Sequence, residues 1–261
     1  MDLSQLFNPN EKPLDRLLTA GGFCSIFRTI GCVGDSISSG EFESREADGK
    51  KDYHDMFDYS WGQFLARFTG SKVYNFSRGG MRADWYLESF ADEMGYWDPA
   101  LACQAYIVGL GVNDLLNHQK PLGTVDDVYT TPDGSTFSAC YQEILRRYRE
   151  IQPDAKFFLS TIARGNKAWD DTGLVDGHAE LIRQIAAKYP NTYVLDMNRY
   201  SPSWGEMYDR FFLGFHMTAC GYAFTAQMFL SYIDYIVRMN MQDFKEAGFI
   251  GTGLHYIEDA K

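Results

Sequence analysis

The sequence predicts a three-layer α/β/α domain that is doubly wound around a five-stranded parallel sheet. Segments with strand character alternate five times with segments of helical periodicity. The strand segments are apolar throughout rather than on one face, as expected for parallel strands covered on both sides. No repeat, low-complexity segment or Pro/Gly/Ser-rich linker divides the 261 residues. We therefore interpret 1–261 as one domain, with an N-terminal extension over about 1–24 and a C-terminal tail over about 241–261.

The elements follow one another in a regular order. The predicted strands are 25–33, 72–76, 102–110, 156–162 and 192–197. Apolar residues at spacings of three and four predict helices over 59–68, 83–94, 137–151, 175–188 and 222–237. Because parallel strands are joined by right-handed crossovers, the carboxyl ends of all five strands form one edge of the sheet. Doubly wound sheets bind their ligands at that edge, so functional residues are expected there.

Charge and composition exclude several classes of protein. The chain has 24 Lys and Arg against 35 Asp and Glu, which gives a net charge of −11. Without a basic block, this charge argues against nucleic acid or an anionic membrane surface as a partner. No run of 18 apolar residues is present, so the sequence predicts no membrane span. An apolar content of 45% with 16% aromatic residues predicts a folded core rather than a disordered chain.

Cysteine usage and the first residues bear on the cellular compartment. The five cysteines are Cys24, Cys32, Cys103, Cys140 and Cys220, and they form no CxxC pair. An odd number without paired spacing predicts free, mostly buried thiols in a reducing compartment. The first twenty residues contain three acidic side chains and no apolar stretch of the kind found in signal peptides. We therefore expect a cytoplasmic protein.

Four short motifs lie beside predicted strand ends or the last helix. They are Gly34-Asp35-Ser36, Asn75-Phe76-Ser77-Arg78-Gly79-Gly80, Gly111-Val112-Asn113-Asp114 and His216-Met217-Thr218-Ala219-Cys220-Gly221-Tyr222. Each has an ordinary structural interpretation when taken alone, such as a turn, a helix cap or a histidine satisfied inside the fold. Together they bring a hydroxyl, two hydrogen-bond donors and a base to one sheet edge. Nucleophilic catalysis needs that combination.

This set of motifs resembles the SGNH/GDSL hydrolase family, whose name lists the Ser, Gly, Asn and His of its four blocks. The resemblance covers about 29–237 and implies a flavodoxin-like sheet carrying a serine esterase that needs no metal or organic cofactor. It implies that Ser36 is the nucleophile and His216 the general base. The implied oxyanion donors are the backbone N–H groups of Ser36 and Gly80 and the side-chain amide of Asn113.

One position departs from the family pattern. An aspartate usually stands three residues before the catalytic histidine, whereas this sequence has Leu213 there. Carbohydrate esterases of the family resemble this chain in using a Ser–His dyad with a backbone carbonyl as the acceptor that orients the imidazole. We therefore expect a carbonyl in the 212–214 turn, such as that of Leu213, to accept a hydrogen bond from Nδ1 of His216. The carboxylates of Asp209 and Glu206 are the alternatives, and loss of activity is a third.

Substrate class is less directly encoded. Segment 38–60 is long and rich in acidic and aromatic residues, so we expect a lid or binding element there. Trp169 and Trp204 follow the fourth and fifth strands and are expected either to flank a polar cleft, as suits sugar rings, or to fill out their loops. The first hypothesis is a deacetylase that acts on an acylated sugar or oligosaccharide. The alternative within the family is a short-chain esterase, lysophospholipase or thioesterase.

Two hypotheses lie outside hydrolysis. A carbohydrate-binding module could retain the fold without catalysis. A flavodoxin-like cofactor binder would need a first loop rich in Ser, Thr and Gly for phosphate, and segment 34–40 fits that only in part. Asp35 facing a phosphate would be unfavourable. A fluorophosphonate probe separates these classes, because only a serine hydrolase is expected to form an adduct at Ser36.

Overall fold

The computed structural model describes residues 6–165 and 173–257, and their strands and helices alternate along the chain. The strands are β1 Thr29–Gly34, β2 Glu41–Arg45, β3 Lys51–Asp55, β4 Lys72–Ser77, β5 Ala105–Gly109, β6 Lys156–Ser160, β7 Thr192–Leu195, β8 Phe212–Leu213 and β9 His216–Met217. The helices are α1 Ser36–Ser39, α2 Trp61–Thr69, α3 Ala83–Trp85, α4 Ala91–Glu93, α5 Phe137–Ile151, α6 Leu174–Lys188, α7 Met197–Tyr200, α8 Tyr208–Phe211 and α9 Ala219–Met239.

The central sheet has five parallel strands in the order β4-β1-β5-β6-β7. The strand order reverses around β1, because the next strand of the sheet along the chain pairs on one side of it and the third on the other. This is the doubly wound arrangement that the alternation of strand and helix segments predicts, and the predicted flavodoxin-like fold is confirmed. The point of reversal is where such sheets leave a crevice for ligands.

Two apolar layers cover the two faces of the sheet. On one face, α2 and α9 pack over residues such as Ile30 and Ile107. On the other, α5 and α6 pack over Val33, Val108 and Phe157. Because successive strand residues point to opposite faces, a continuously apolar strand supplies both layers. This explains why the strands lack polar alternation.

Three local features differ from the predicted elements. The first strand begins at Thr29, because Gly22–Ile26 forms a 3₁₀ helix before it. The predicted helix over 83–94 consists of α3 and α4 joined by a π-helical turn, Tyr86–Phe90. Segment 38–60, predicted as a loop or lid, contains an antiparallel hairpin of β2 and β3. We call β2, β3 and their connecting turn the β2–β3 hairpin.

The chain ends that the structure describes pack onto the domain. Arg238 in α9 binds Glu11, and the Gln104 side chain donates to the carbonyls of Ala247 and Ile250. The five cysteines are free, as predicted, and all but Cys220 are buried. Within the described ranges, no helix has both the length and the apolar character needed to cross a bilayer.

Candidate active site

The carboxyl ends of three neighbouring strands bring the first three motifs together. Gly34 at the end of β1 is paired with Ser77 of β4 on one side and Gly109 of β5 on the other. A Cβ at Gly34 would collide with the Ser38 side chain and lie 2.8 Å from the Gly109 carbonyl oxygen. Only glycine therefore allows the chain to turn this tightly into α1.

Ser36 is the first residue of α1, directly after this turn. The preceding residue, Asp35, caps the helix, because its carboxylate accepts a hydrogen bond of 3.1 Å from the N–H of Ile37. Burial raises the pKa of Asp35 to about 7, and this effect outweighs the helix N–H bonds that favour its charged form. The serine hydroxyl is thus held at the sheet edge by a short helix whose first turn is fixed by a buried acid.

Gly80 and Asn113 lie in two adjoining loops at the same edge. Gly80 adopts φ of 71°, which suits glycine, and it is followed by Met81. The Asn113 amide nitrogen donates to the Met81 carbonyl at 3.2 Å, and its oxygen accepts from the Asn117 side chain at 2.7 Å. Asn113 makes no capping hydrogen bond to its own helix turn, so the structural role considered for it from sequence is not the one it has.

His216 reaches the site from the opposite end of the chain. It lies in β9, which pairs with β8 through a tight turn at Gly214 (φ of 63°), and Thr218 then caps α9. The imidazole is mostly buried, with the ring of Tyr53 in β3 set edge-on at a centroid distance of 5.5 Å. β9 packs against both α1 and β2. The histidine therefore lies between α1, which begins at Ser36, and the β2–β3 hairpin.

Comparison with known proteins identifies this set of blocks. A family model described as the GDSL-like lipase/acylhydrolase family matches residues 32–224. The chain belongs to this family. It is therefore a carboxylic ester hydrolase, in agreement with the resemblance drawn from the four motifs.

Solved structures agree on the fold. A family two carbohydrate esterase from Clostridium thermocellum in complex with cellohexaose has a TM-score of 0.57 at 14% identity, covering 89% of this chain and 66% of that one. A possible lipase from Chitinophaga pinensis has a TM-score of 0.55 at 16% identity, covering 80% and 98%. A family three carbohydrate esterase from Clostridium thermocellum has a TM-score of 0.51 at 14% identity, covering 80% and 96%. No curated protein matches the sequence.

Ser36 and His216, the residues predicted as nucleophile and base, lie on elements that contact each other, α1 and β9. Between the described residues Ser36 and His216 no hydrogen bond is formed in the structure. Catalytic hydrogen bonds are commonly long in unliganded enzymes and shorten when substrate binds. His216 acts electrostatically on Asp35 and lowers the pKa of that carboxyl, although burial outweighs this effect, so the imidazole lies within electrostatic range of the turn that precedes Ser36.

The expected acceptor for Nδ1 of His216 is not engaged. This nitrogen is buried and has no hydrogen-bond partner among the described residues. Leu213 is directly opposite His216 in the β8–β9 pair, and it is 46% exposed. Asp209 and Glu206 are exposed in and before α8. The predicted hydrogen bond from Nδ1 to a turn carbonyl or to Asp209 is therefore absent here.

The carboxylate that does contact the imidazole was not predicted from the sequence. Glu41 Oε1 in β2 lies 2.9 Å from Nε2 of His216. The hairpin that carries Glu41 reaches the histidine loop at a second point, where Glu43 accepts a hydrogen bond of 3.4 Å from the N–H of Phe215. A carboxylate two residues after α1 was visible in the sequence, but only the pairing of β2 with β3 directs it towards residue 216.

Of the two tryptophans expected at the sheet edge, Trp204 follows the second of the two expectations. Trp204 is 5% exposed and packs against Phe211, Phe212 and Phe224, so it fills out its loop. It also lines an apolar cavity of about 110 Å³ that reaches Asp35 and Ile37, the two neighbours of Ser36 in sequence. Trp169 lies outside the described residues. Exposed aromatic side chains near His216 come instead from Tyr53 and Phe215.

A second histidine, His178, lies at this edge, and the sequence analysis did not identify it as a core residue. His178 in α6 is fully buried, with Nε2 3.1 Å from the Leu110 carbonyl and Nδ1 accepting from the N–H of Ile162 at 3.5 Å. Burial lowers its pKa to about 4.

Across 6–165 and 173–257, no group of three or more His, Cys, Asp or Glu side chains is arranged to hold a metal ion.

Proposed function

We propose that the protein hydrolyses short-chain esters, most specifically O-acetyl groups on a sugar or oligosaccharide, through an acyl-enzyme on Ser36. The observation that carries the catalytic assignment is the hydrogen bond from Asn113 to the carbonyl of Met81. It joins the loops that bear two predicted oxyanion donors, and both loops follow strands that flank the one leading to Ser36.

The reaction proceeds in two halves. His216 takes the Ser36 hydroxyl proton while Oγ attacks the ester carbonyl, and the carbonyl π electrons move to the oxygen. The oxyanion receives hydrogen bonds from the N–H groups of Ser36 and Gly80 and from the second N–H of the Asn113 amide, since the first is bonded to Met81. Such donors each stabilise the transition state by about 3 kcal/mol. His216 then protonates the leaving alcohol, and water hydrolyses the acyl-enzyme with the roles reversed.

Support for a sugar comes from the surface around His216. Tyr53 and Phe215 are 48% and 45% exposed, and the carboxylate of Asp55 lies beside the backbone of Gly79. Aromatic faces pack on sugar rings, and carboxylates accept hydrogen bonds from hydroxyl groups. Structural neighbours that act on carbohydrate share the fold, which is consistent with such a substrate.

A substrate comparison tests this choice. We expect acetylated oligosaccharides to be hydrolysed, with Ser36→Ala removing the activity. Tyr53→Ala should raise KM for the oligosaccharide by roughly fivefold, and leave KM for p-nitrophenyl acetate unchanged, since stacking contributes about 1 kcal/mol. Tyr256, an exposed tyrosine outside the site, gives the matched control Tyr256→Ala. Equal activity of Tyr53→Ala and Tyr256→Ala on every substrate would contradict the sugar assignment.

The apolar cavity beside Asp35 and Ile37 favours a second candidate, an esterase for longer acyl chains. It is lined mainly by apolar side chains, Val112 among them, and could receive an acyl tail. A series of p-nitrophenyl esters from acetate to octanoate separates the two. Rising kcat/KM with chain length, reversed by Val112→Phe, would favour the longer acyl group. A decline from acetate onwards would favour the acetyl ester.

A further inference from the structure

We propose that Asp55, the last residue of β3, is a positioning residue that ties the helix of the nucleophile to the loop of the oxyanion donor Gly80. One of its carboxylate oxygens, Oδ1, accepts a hydrogen bond from the hydroxyl of Ser39 in α1. The other oxygen, Oδ2, accepts a hydrogen bond of 3.1 Å from the backbone N–H of Gly79. This inference rests on the proposed function, in which Ser36 and Gly80 act on the ester carbonyl. Neither Asp55 nor Ser39 belongs to the four sequence motifs.

On the side of α1, the bridge reaches the nucleophile through a buried serine. Ser39 is fully buried, and its hydroxyl also lies 3.2 Å from the backbone carbonyl oxygen of Ser36. The N–H of Ser39 donates to the carbonyl of Asp35 at 2.9 Å, which fixes the residue within the single turn of the helix. Because α1 has only four residues, it has few hydrogen bonds of its own. A partner outside the helix, Asp55, therefore helps to hold Ser36 in one place.

Gly80 lies in a tight turn whose conformation depends on its surroundings. The carbonyl of Arg78 accepts a hydrogen bond of 3.2 Å from the N–H of Met81, which closes a β-turn with Gly80 at its third position. The φ of 71° at Gly80 is the left-handed value that a type II turn requires there. Two consecutive glycines, Gly79 and Gly80, have little intrinsic preference for one backbone conformation. The direction of the Gly80 N–H therefore depends on what holds the two flanks of the turn.

The two flanks are held by side chains from different parts of the chain. Asn113 fixes the flank after Gly80 through its hydrogen bond to the carbonyl of Met81. Asp55 fixes the flank before Gly80 through the N–H of Gly79. Among the described residues, the N–H of Gly80 itself has no acceptor, which leaves it available to an oxyanion. Asp55 thus serves the first flank of the turn as Asn113 serves the second.

The backbone of the hairpin places Asp55 against both of its partners. Asp55 is opposite Glu41 in the pairing of β2 with β3. The N–H of the next residue, Met56, donates at 3.1 Å to the carbonyl of Gly40, which directly follows α1. A Cβ at Gly79 would collide with the carboxylate of Glu41 and lie 3.5 Å from Oδ1 of Asp55, so the Gly80 loop runs directly against the hairpin. The carboxylate is therefore set between two backbones that the hairpin already contacts.

Two substitutions at Asp55 test the bridge by kinetics. Asp55→Ala removes both acceptors, and kcat should fall roughly 10–10²-fold with little change in KM, because a displaced donor costs most in the transition state. Asp55→Asn should keep kcat within roughly threefold of the wild type, since an amide has both an acceptor and a donor. Its oxygen can accept from the N–H of Gly79, and its NH₂ group can donate to Ser39, whose own proton then goes to the Ser36 carbonyl.

Asp48 provides the matched controls. It is an exposed residue in the turn of the same hairpin, and its carboxylate also accepts a backbone N–H, that of Lys50 at 2.9 Å. Asp48→Ala and Asp48→Asn should both keep the wild-type kcat and KM. A fall in kcat for Asp48→Ala as large as that for Asp55→Ala would show that the hairpin as a whole is responsible, and would contradict a specific role for Asp55.

A small alkyl trifluoromethyl ketone separates positioning from sugar recognition, the other role that a carboxylate here could have. Oγ of Ser36 adds to the ketone carbon, its proton passes to His216, and the ketone oxygen becomes an oxyanion among the N–H donors. The inhibitor has no sugar, so its inhibition constant should rise in Asp55→Ala by about the factor by which kcat falls. In Asp55→Asn it should stay near the wild-type value. A raised KM for oligosaccharide with unchanged kcat and unchanged ketone inhibition would identify a sugar contact and overturn the inference.

A double-mutant cycle tests whether Asp55 and Ser39 act as one bridge. Ser39→Ala should lower kcat less than Asp55→Ala does, because the hydrogen bond from Gly79 to Asp55 remains. In the Asp55→Ala background, Ser39→Ala should cause little further loss, since the bridge is already broken. Losses of kcat that simply multiply would show that the two side chains act separately, and would contradict the bridge.

The outcomes separate this inference from the proposed function. If the wild type neither hydrolyses esters nor forms a fluorophosphonate adduct at Ser36, the proposed function fails and the inference falls with it. If the wild type is active and Asp55→Ala keeps its kcat, the inference fails alone. It also fails alone if Asp55→Asn loses as much kcat as Asp55→Ala. Thermal midpoints within a few degrees of the wild type exclude loss of the fold as the cause of a fall in kcat.

Discussion

Two histidines lie at the same edge of the sheet and differ in what their ring nitrogens contact. His178 is fully buried, and both nitrogens are hydrogen-bonded to backbone groups that follow β5 and β6. In His216, Nε2 contacts the carboxylate of Glu41, whereas Nδ1 is buried and has no hydrogen-bond partner among the described residues. A histidine that serves the fold has both nitrogens satisfied by the backbone and stays neutral. A histidine that can move a proton keeps one nitrogen open beside a charge.

The largest expected effect comes from replacing each of the two histidines by glutamine. His216→Gln should lower kcat more than roughly 10³-fold while the thermal midpoint stays near the wild type, because the ring has few structural bonds to lose. His178→Gln should do the opposite, destabilising the fold by about 1–3 kcal/mol and keeping kcat per folded molecule, because buried backbone groups lose their partner. Denaturant unfolding and esterase assays on both variants make the comparison. Comparable losses of kcat in the two variants would contradict the distinction between a functional and a structural histidine.

Asn113 extends the comparison to a side-chain amide in which one N–H is not hydrogen-bonded within the described residues. Its oxygen and one N–H are bonded inside the protein, so we expect the other N–H to serve the oxyanion. Asn113→Ala should lower kcat about 10²–10³-fold with little change in KM, since the oxyanion exists only in the transition state. Asn10, an exposed asparagine of the N-terminal segment, gives the control Asn10→Ala. A destabilised Asn113→Ala with full kcat would identify a purely structural residue.

The pH dependence of stability should report His178. Its pKa of about 4 in the folded state lies below the usual unfolded value, so the unfolded chain binds the proton first as pH falls. The contribution of this group is fully present above about pH 6.5 and is lost towards pH 4, a change of roughly 3 kcal/mol.

Two buried acids change the free energy of unfolding in the opposite direction over the same pH range. Burial raises the pKa values of Asp35 and Asp114 to about 7, so protonation at lower pH favours the folded state. The difference between wild type and His178→Gln cancels these acids and isolates the histidine. Unfolding free energies at pH 7 and pH 4.5 should converge for the two proteins as pH falls. A constant difference across that range would contradict a neutral, buried His178.

The smallest effects are expected at the positions first considered for orienting His216. Leu213→Asp and Asp209→Asn should each change kcat less than tenfold, because the carboxylate that contacts the ring comes from β2. Both side chains are exposed, so neither substitution should lower the thermal midpoint by more than a few degrees. A fall of ~10⁴ in kcat for Asp209→Asn, the size seen when a triad aspartate is amidated, would restore Asp209 as the orienting acid.

Sequence reasoning was sufficient for the sheet and for the placing of Ser36, Gly80 and Asn113. Continuous apolarity identifies buried parallel strands, and parallel strands end together, so residues that follow them are brought to one edge whatever their separation in sequence. The contact between Glu41 and His216 could not be found in that way. It depends on the pairing of β2 with β3 inside a segment of polar composition, and short exposed hairpins carry little hydrophobic periodicity.

The exposure of individual side chains was also beyond the sequence. Trp204 and Leu213 both stand in the loops before α9, and the sequence left open whether Trp204 flanks a cleft or fills out its loop. In the structure Trp204 packs against three phenylalanine rings, while the β8–β9 pair turns Leu213 outwards. Which side of a two-residue strand faces solvent depends on register, and a shift of one residue inverts it.

The central claim is that Ser36 is a nucleophile activated by His216, and fluorophosphonate labelling tests it most directly. Intact mass measurement of the wild type should give one adduct, mapped by peptide mass to Ser36. Ser36→Ala should remain unlabelled, and His216→Gln should be labelled at least roughly 10²-fold more slowly. Rapid labelling at another residue, or labelling of His216→Gln at the wild-type rate, would contradict the account.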